Sequence, residues 1–285
     1  MTVEFRRIVF LAPFGIRPKG TLIARMLPLA AKLVELGCHI TIVAPPYTNP
    51  EDSGLTEIID GVHVVNIRLS SLGKTLGAPL LAWRMYKIMR KEQPDLVHLF
   101  KPKGYGGLTA MLMCLLSSFG AKMPPLFVDT DDWEGRGGMN DLHDYSLPAK
   151  WLYTLQEKWL PLRAVGVTVA SRALEERVFG FGVPKERIFY LPNGTNERPA
   201  GLCSRVREKY GLDGDVPVVL LYTRFFEFPQ SQLYEVFAGI AENIPEVRFL
   251  VVGQGRFGED EKLRVSATER GFAENLIQTG WLEPE

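Results

Sequence analysis

The chain has 285 residues, 46% of them hydrophobic and 23% charged, with 33 basic and 33 acidic side chains. That balance gives no footing for nucleic-acid binding through bulk positive charge, and it suits a soluble globular protein long enough for two domains. The charge is unevenly placed: residues 1–192 hold 23 Lys and Arg against 18 Asp and Glu, whereas residues 193–285 hold 10 against 15.

Residues 8–12 (IVFLA) predict a strand buried on both faces, followed by a loop at 13–20 set by two prolines and two glycines. Helical periodicity over 21–36, with Thr21 as N-cap and Gly37 past the end, predicts a helix that Pro28 should kink. Residues 38–44 form the next strand. A strand at 62–67, an amphipathic helix at 75–91, a strand at 95–100 (DLVHLF), an apolar helix at 106–119 and a strand at 126–129 follow. The last runs into the acidic turn DTDDWEG, and residues 134–146 lack periodicity and read as a mobile loop near the site. Then come a helix at 147–162, a strand at 165–170, a helix at 171–179 capped by Ser171, and a strand at 187–191.

Residues 192–196 (PNGTN) break the pattern and, with 198–201, make a linker where the charge changes sign. Beyond it the alternation restarts: strand 216–222, helix 230–243, strand 247–252, helix 259–271, strand 275–279. Solid apolar runs flanking helical spacing give strand–helix–strand units, whose connections should be right-handed. The expected architecture is α/β, with a Rossmann-like doubly wound domain at 1–192 and a second at 193–285. The second is expected to be incomplete, with three strands where five or six are usual. Cys38, Cys114 and Cys203 lack metal-ligand spacing and read as reduced thiols of a cytoplasmic protein. Residues 8–13 are too short for the apolar core of a signal peptide, and 108–119 fall short of the roughly 20 residues a membrane span needs.

Ligands of such sheets sit at the carboxyl ends of the strands. Arg224 follows strand 216–222 and offers a guanidinium fork for an anion. Gly253 and Gly255 follow the next strand, where bare N–H groups can meet a phosphate at the start of helix 259–271. Gly15, Lys19 and Gly20 form the loop after the first strand. No Lys-Ser/Thr follows Gly20, so this is not an ATP-type P-loop. His98 lies inside its strand and reads either as a satisfied core residue or as a catalytic one.

In order along the chain, these features resemble glycosyltransferase family 4, the retaining sugar-nucleotide transferases of GT-B architecture. The resemblance is carried by residues 18–44 (PKGTLIARMLPLAAKLVELGCHITIVA), PDLVHLF at 94–100 and SRALEERVFGFGVPKERIFYLPNGTN at 171–196. It continues through TRFFEF, FLVVGQG and LIQTGWLEPE at 276–285. It implies a UDP- or GDP-linked sugar donor held by Arg224, Gly253, Gly255, Gly20 and Lys19. It also implies an acceptor (glycan, lipid or small molecule) on the first domain, retention of configuration, and no metal or other cofactor. The family follows its arginine with a lysine five or six positions on, where this chain has Pro229 and Gln230, and its Asn-Gly-Val-Asp is here Asn193-Gly194-Thr195-Asn196.

Asp129-Thr130-Asp131-Asp132 admits three readings. It resembles the DxD of metal-dependent GT-A transferases, and it resembles a phosphatase motif with Trp133 where Thr or Val belongs. In a GT-B site, Asp131 or Asp132 would orient an acceptor hydroxyl or balance positive charge developing on the sugar. The bland alternative is a helix N-cap. With this preferred third reading, Asp131, His98 and Asp132 are the catalytic candidates. Helix 75–91 lies in a basic stretch, eight Lys and Arg over 68–103. It reads as an ordinary outer helix or as a docking face for an anionic membrane, placing the protein at the inner membrane surface. Alternatives from other classes are a non-catalytic or truncated GT-B-like protein and a sugar-nucleotide epimerase.

Overall fold

The computed structural model describes residues 6–17, 22–194, 203–212, 214–225, 228–255 and 257–282. Lys19, Gly20, Thr21, Thr195, Asn196 and the linker at 198–201 lie outside them. The chain divides into two compact units, Met1–Thr195 and Asn196–Glu285.

In the first unit, eight strands form one sheet: β1 (Arg7–Leu11), β2 (His39–Ala44), β3 (Thr56–Ile59), β4 (Val62–Asn66), β5 (Leu96–Phe100), β6 (Leu126–Thr130), β7 (Gly166–Val169) and β8 (Ile188–Tyr190). Their order is 3-4-2-1-5-6-7-8, parallel throughout except for the antiparallel pairing of β3 with β4. The helices are α1 (Leu27–Glu35), α2 (Gly73–Leu76), α3 (Ala78–Lys91), α4 (Gly104–Ser118), α5 (Met139–Leu142), α6 (Leu147–Arg163) and α7 (Arg172–Gly180). A parallel sheet needs cover on both faces, and alternate residues of each strand serve the two layers. From β1, Val9 and Leu11 join Val97, Leu99, Val128, Met85 and Leu160 on one face. Ile8 and Phe10 join Ile40, Ile42, Val64 and Met26 on the other. Chain order reverses between β1 and β5, which makes their carboxyl ends the topological switch point where such sheets open a crevice.

The second unit comprises α8 (Cys203–Lys209), β9 (Val218–Tyr222), α9 (Gln230–Asn243), β10 (Arg248–Val252), α10 (Glu259–Glu269) and β11 (Leu276–Gly280). Its three strands are parallel in the order 11-10-9. Phe237 stacks on Phe249 with centroids 4.1 Å apart, and Phe272 meets both edge-on, at 6.2 and 5.9 Å. These rings anchor its core.

Four local expectations are corrected. The strand at 62–67 is the second half of a hairpin, joined to β3 by Asp60 and Gly61 at φ 49° and 78°, the backbone of a two-residue primed turn. The helix expected at 21–36 is not a regular α-helix throughout. A five-residue π-helical turn, Leu22–Met26, runs into α1, and Pro28 falls in the first turn of α1, just past the change of winding. Helix 75–91 is two helices broken at Gly77, where a Cβ would collide with the Gly73 carbonyl and with Ser70. The stretch 134–146 is wound around an indole rather than left irregular. Trp133 Nε1 donates to the Arg136 carbonyl at 2.8 Å, Met139 N–H donates to the Trp133 carbonyl at 2.9 Å, and Arg177 lies 4.4 Å over the ring.

Candidate active site

At the switch point β5 ends in Lys101-Pro102-Lys103. Lys101 has φ 52°, a left-handed backbone uncommon for a side-chain-bearing residue and often found at functional sites. The turn is held by Lys101 N–H donating to the Asp129 carbonyl at 3.0 Å and Lys103 N–H to the Lys101 carbonyl at 2.6 Å. α4 then starts at Gly104, and Gly106 packs so close to the Ala12 carbonyl after β1 that a Cβ there would clash.

The turn points its amines at the acidic segment after β6. Lys101 Nζ lies 2.6 Å from Asp132 Oδ2, 3.3 Å from Asp131 Oδ1 and 3.6 Å from Glu134 Oε1. Lys103 Nζ donates to Glu134 Oε2 at 2.5 Å and to the Tyr145 hydroxyl at 3.0 Å. Burial works against the Lys101 ammonium, but Asp131, Asp132 and Glu134 outweigh it and hold its pKa above the ordinary lysine value. Asp131 goes the other way. Burial pushes its carboxyl up to about 6, with Lys101 opposing and Asp132 and Asp129 adding to the rise. Asp131 Oδ1 is buried and makes no well-formed hydrogen bond; the lysine contact is an ion pair only. Beneath them Glu157 of α6 is fully buried, and burial, then Glu134, raises its pKa well above the ordinary glutamate value.

A second cluster lies beside the first and is closed. Arg25 grips Asp129 through two bonds, Nε to Oδ2 at 2.8 Å and Nη2 to Oδ1 at 2.6 Å, and its Nη1 donates to Asn193 Oδ1 at 2.9 Å. Thr168 Oγ1 donates to Asp129 Oδ1 at 2.5 Å, which leaves its oxygen to accept from His98 Nε2 at 3.3 Å. Burial drops the His98 pKa to about 4, so the ring is neutral with Nε2 carrying the proton. Phe10, Phe100 and Phe127 surround it, at 5.4, 4.6 and 6.0 Å. Of the sequence candidates, Asp131 and Asp132 therefore come together around Lys101, while His98 sits within the sheet and reaches the acidic segment through Thr168 and Asp129.

In the second unit Arg224 is exposed just beyond β9. The two glycines each serve a close local approach. Gly253 has φ 123°, a Cβ there would strike the Thr223 carbonyl, and its N–H is taken by the Gly280 carbonyl at 2.9 Å. Gly255 gives room to Glu259, whose buried Oε2 accepts the Phe257 N–H at 2.6 Å. The first turn of α10 carries Glu259, Asp260 and Glu261, carboxylates that suit the positive end of a helix. Gln230 accepts the Tyr234 hydroxyl at 2.5 Å. Lys19 and Gly20 lie outside the described residues.

Sequence reasoning missed Arg25, Lys101, Lys103, Glu134, Glu157, Thr168 and Asn193. One signal was on the page: two lysines flanking a proline, directly after a buried strand and directly before a glycine-rich helix start.

No curated protein sequence matches the chain at a significant level. Solved structures do match in fold. Anabaena HepE in complex with UDP is 20% identical with a TM-score of 0.62, over 97% of this chain and 69% of that one. Sucrose-phosphate synthase from Thermosynechococcus elongatus is 18% identical, TM-score 0.65, over 98% and 71%. A glycosyltransferase from Rickettsia africae is 13% identical, TM-score 0.65, over 98% and 69%. The shared fold is GT-B. Residues 20–194 match the family described as "Glycosyl transferase 4-like domain". That match spans more than half of the sequence, and the chain belongs to the glycosyltransferase 4-like family.

Proposed function

We propose that the protein moves a sugar from a UDP- or GDP-linked donor to a hydroxyl acceptor, with retention and without a metal ion. One observation carries the reading: in a chain of this family, an incompletely bonded, buried carboxylate, Asp131, sits beside Lys101 at the switch point of the first sheet. In this reading the first unit holds the acceptor. Asp131 Oδ1, ionised above about pH 6, accepts the acceptor hydroxyl's hydrogen bond and turns its lone pair toward the anomeric carbon. As the new C–O bond forms, the bond to the diphosphate breaks, the hydroxyl proton passes to Asp131, and the diphosphate leaves as its anion. Asp132 keeps Lys101 in place, and His98 supports Asp129 through Thr168 rather than touching substrate. The second unit holds the donor, with Arg224 donating to the diphosphate. Lys19 and Gly20 belong to the same proposal as donor-binding residues. Lys101 Nζ already stands among the acidic side chains, where a metal would otherwise be drawn. Contact of residues 75–91 with a membrane surface belongs to the same reading.

The test is nucleotide release from UDP- and GDP-sugars by the full chain in the presence of a chelator. Slow hydrolysis that Asp131→Asn abolishes is the expected result; calorimetry detecting no nucleotide or nucleotide-sugar binding would overturn it. A second reading, a GT-B-like protein without transferase activity, is favoured by the three carboxylates at the start of α10 and by Gln230 in place of the family lysine. It expects that null calorimetry.

A further inference from the structure

The amino ends of β1, β2 and β4 frame a cavity of about 620 Å³, at the edge of the first sheet away from the Lys101 turn. Strand register decides which side chains enter it. Arg7 pairs with His39 and Thr41 pairs with His63, and alternate residues of a strand share a face. Arg7, His39, Thr41 and His63 therefore stand on one face of three adjacent strands, the face on which Val9 and Val43 join the core. Lys91 at the end of α3, with Glu92 and Gln93 after it, closes the cavity from that side.

The charge of this lining is lopsided. Arg7, His39, His63 and Lys91 are exposed, and none of them makes a side-chain hydrogen bond or ion pair with another described residue. Glu92 is the one carboxylate of the lining, and it accepts the Thr41 hydroxyl at 3.3 Å. Asp95 lies near Arg7, but its Oδ2 accepts the backbone N–H groups of Arg6 and Arg7 at 3.1 and 2.9 Å. Lys91 alone has an ordinary explanation, as a cation at the carboxyl end of a helix. Arg7 and the two imidazoles come from strands and do not share it.

A metal ion does not suit the place. Cys38 lines the cavity with the histidines, yet no three His, Cys, Asp or Glu side chains of the described residues are grouped so as to hold one. An apolar ligand would leave the guanidinium and the ammonium without use. A phosphate monoester uses all four groups: the guanidinium fork takes two oxygens, the ammonium acts as a point charge, and each imidazole donates from a ring N–H. The cavity far exceeds a bare phosphate and falls within the range of small-molecule sites, about 300–1,000 Å³, so the ligand carries a body. The open backbone at Gly37 and Gly61 and the Gln93 amide offer that body polar contacts. We propose that Arg7, His39, His63 and Lys91 bind the phosphate group of a small phosphorylated polyol, of the size of a sugar phosphate. The site lies roughly 17 Å, one strand length, from the carboxyl edge that holds Asp131. It is therefore separate from the transferase site and does not rest on the transferase reading.

The chain has four histidines, His39, His63, His98 and His143, so their ring Cε1–H resonances locate a bound anion. The experiment is a titration of the full chain with glucose 6-phosphate, inorganic phosphate and glucose, followed by ¹H–¹³C NMR at fixed pH and ionic strength. Single His→Gln variants assign the resonances. Saturable shifts of His39 and His63 are expected with both phosphates, with His98 and His143 unmoved and glucose without effect. Arg7→Gln and Lys91→Gln should each weaken the apparent affinity about five- to tenfold. Both positions are exposed, and circular dichroism checks that the fold persists. Unmoved His39 and His63, equal shifts of all four rings, a response to glucose, or an affinity untouched by Arg7→Gln would each overturn the proposal. So would a phosphate response that UDP abolishes, because that would put the anion in the donor seat. Release of nucleotide from sugar nucleotides is measured separately, so either proposal fails without the other.

Discussion

Two ion clusters lie side by side at the carboxyl edge of the first sheet, and they differ in one respect. At Asp129 both carboxylate oxygens are used: Arg25 donates twice, Thr168 once, and Arg25 has a further bond to Asn193. Around Lys101 the acids outnumber the amines, and Asp131 Oδ1 lacks a hydrogen bond. A saturated buried network fixes the sheet edge, whereas an unsaturated one stores acceptor capacity for something that arrives later. Both clusters lie at the switch point; hydrogen-bond completeness is what differs between them.

The contrast is tested most severely by removing the arginine. Arg25→Leu strands a fully buried carboxylate and should cost about 3–5 kcal/mol, read as a fall in melting temperature or denaturant midpoint. A shift under about 1 kcal/mol would mean that Asp129 is not committed as the bonds suggest.

At Asp131 the expected pattern is reversed. Asp131→Asn should lower transfer by about 100-fold or more and yet stabilise the fold. Its folded pKa, about 6, lies above its ordinary 3.8, so protonation favours folding, and that contribution is lost as pH rises through 6. At pH 7 the ionised group therefore costs stability, and the amide should recover about 1–3 kcal/mol of it. A destabilised Asp131→Asn would place this residue in the structural class with Asp129.

A smaller effect is expected in the pH profile. Transfer should fall on the acid side with a midpoint near 6, where Asp131 takes its proton. Lys101→Gln removes the cation that opposes that rise, so the midpoint should move to higher pH, measured as kcat/KM against pH. A midpoint unmoved by this change would detach Asp131 from the chemistry. Smallest of all, Asn193→Ala removes one hydrogen bond to a guanidinium already held twice, and should cost about 1 kcal/mol or less.

The sheet was readable because its strands are unbroken apolar runs, such as IVFLA and DLVHLF, separated by helical spacing. The hairpin at 56–66 was missed although Asp60-Gly61 announces it, because a short polar strand such as TEII carries little signal beside its apolar partner. The acidic turn was visible as a local run. Its partners were not: Arg25 and Asp129 are 104 residues apart in sequence, and only the β1–β5–β6 register brings them together. The glycine turns of the second unit were located correctly; what the sequence did not show is that the Gly253 N–H goes to the Gly280 carbonyl and the Phe257 N–H to Glu259.

Because β1 lies between β2 and β5, this central strand leaves the ribosome well before one of its two partners. Its hydrogen-bonding edge toward β5 must stay open while the intervening chain is made, and it closes only once residues 96–100 emerge. A pause in translation before that point would leave an apolar strand without its partner, a state open to chaperones and to aggregation alike.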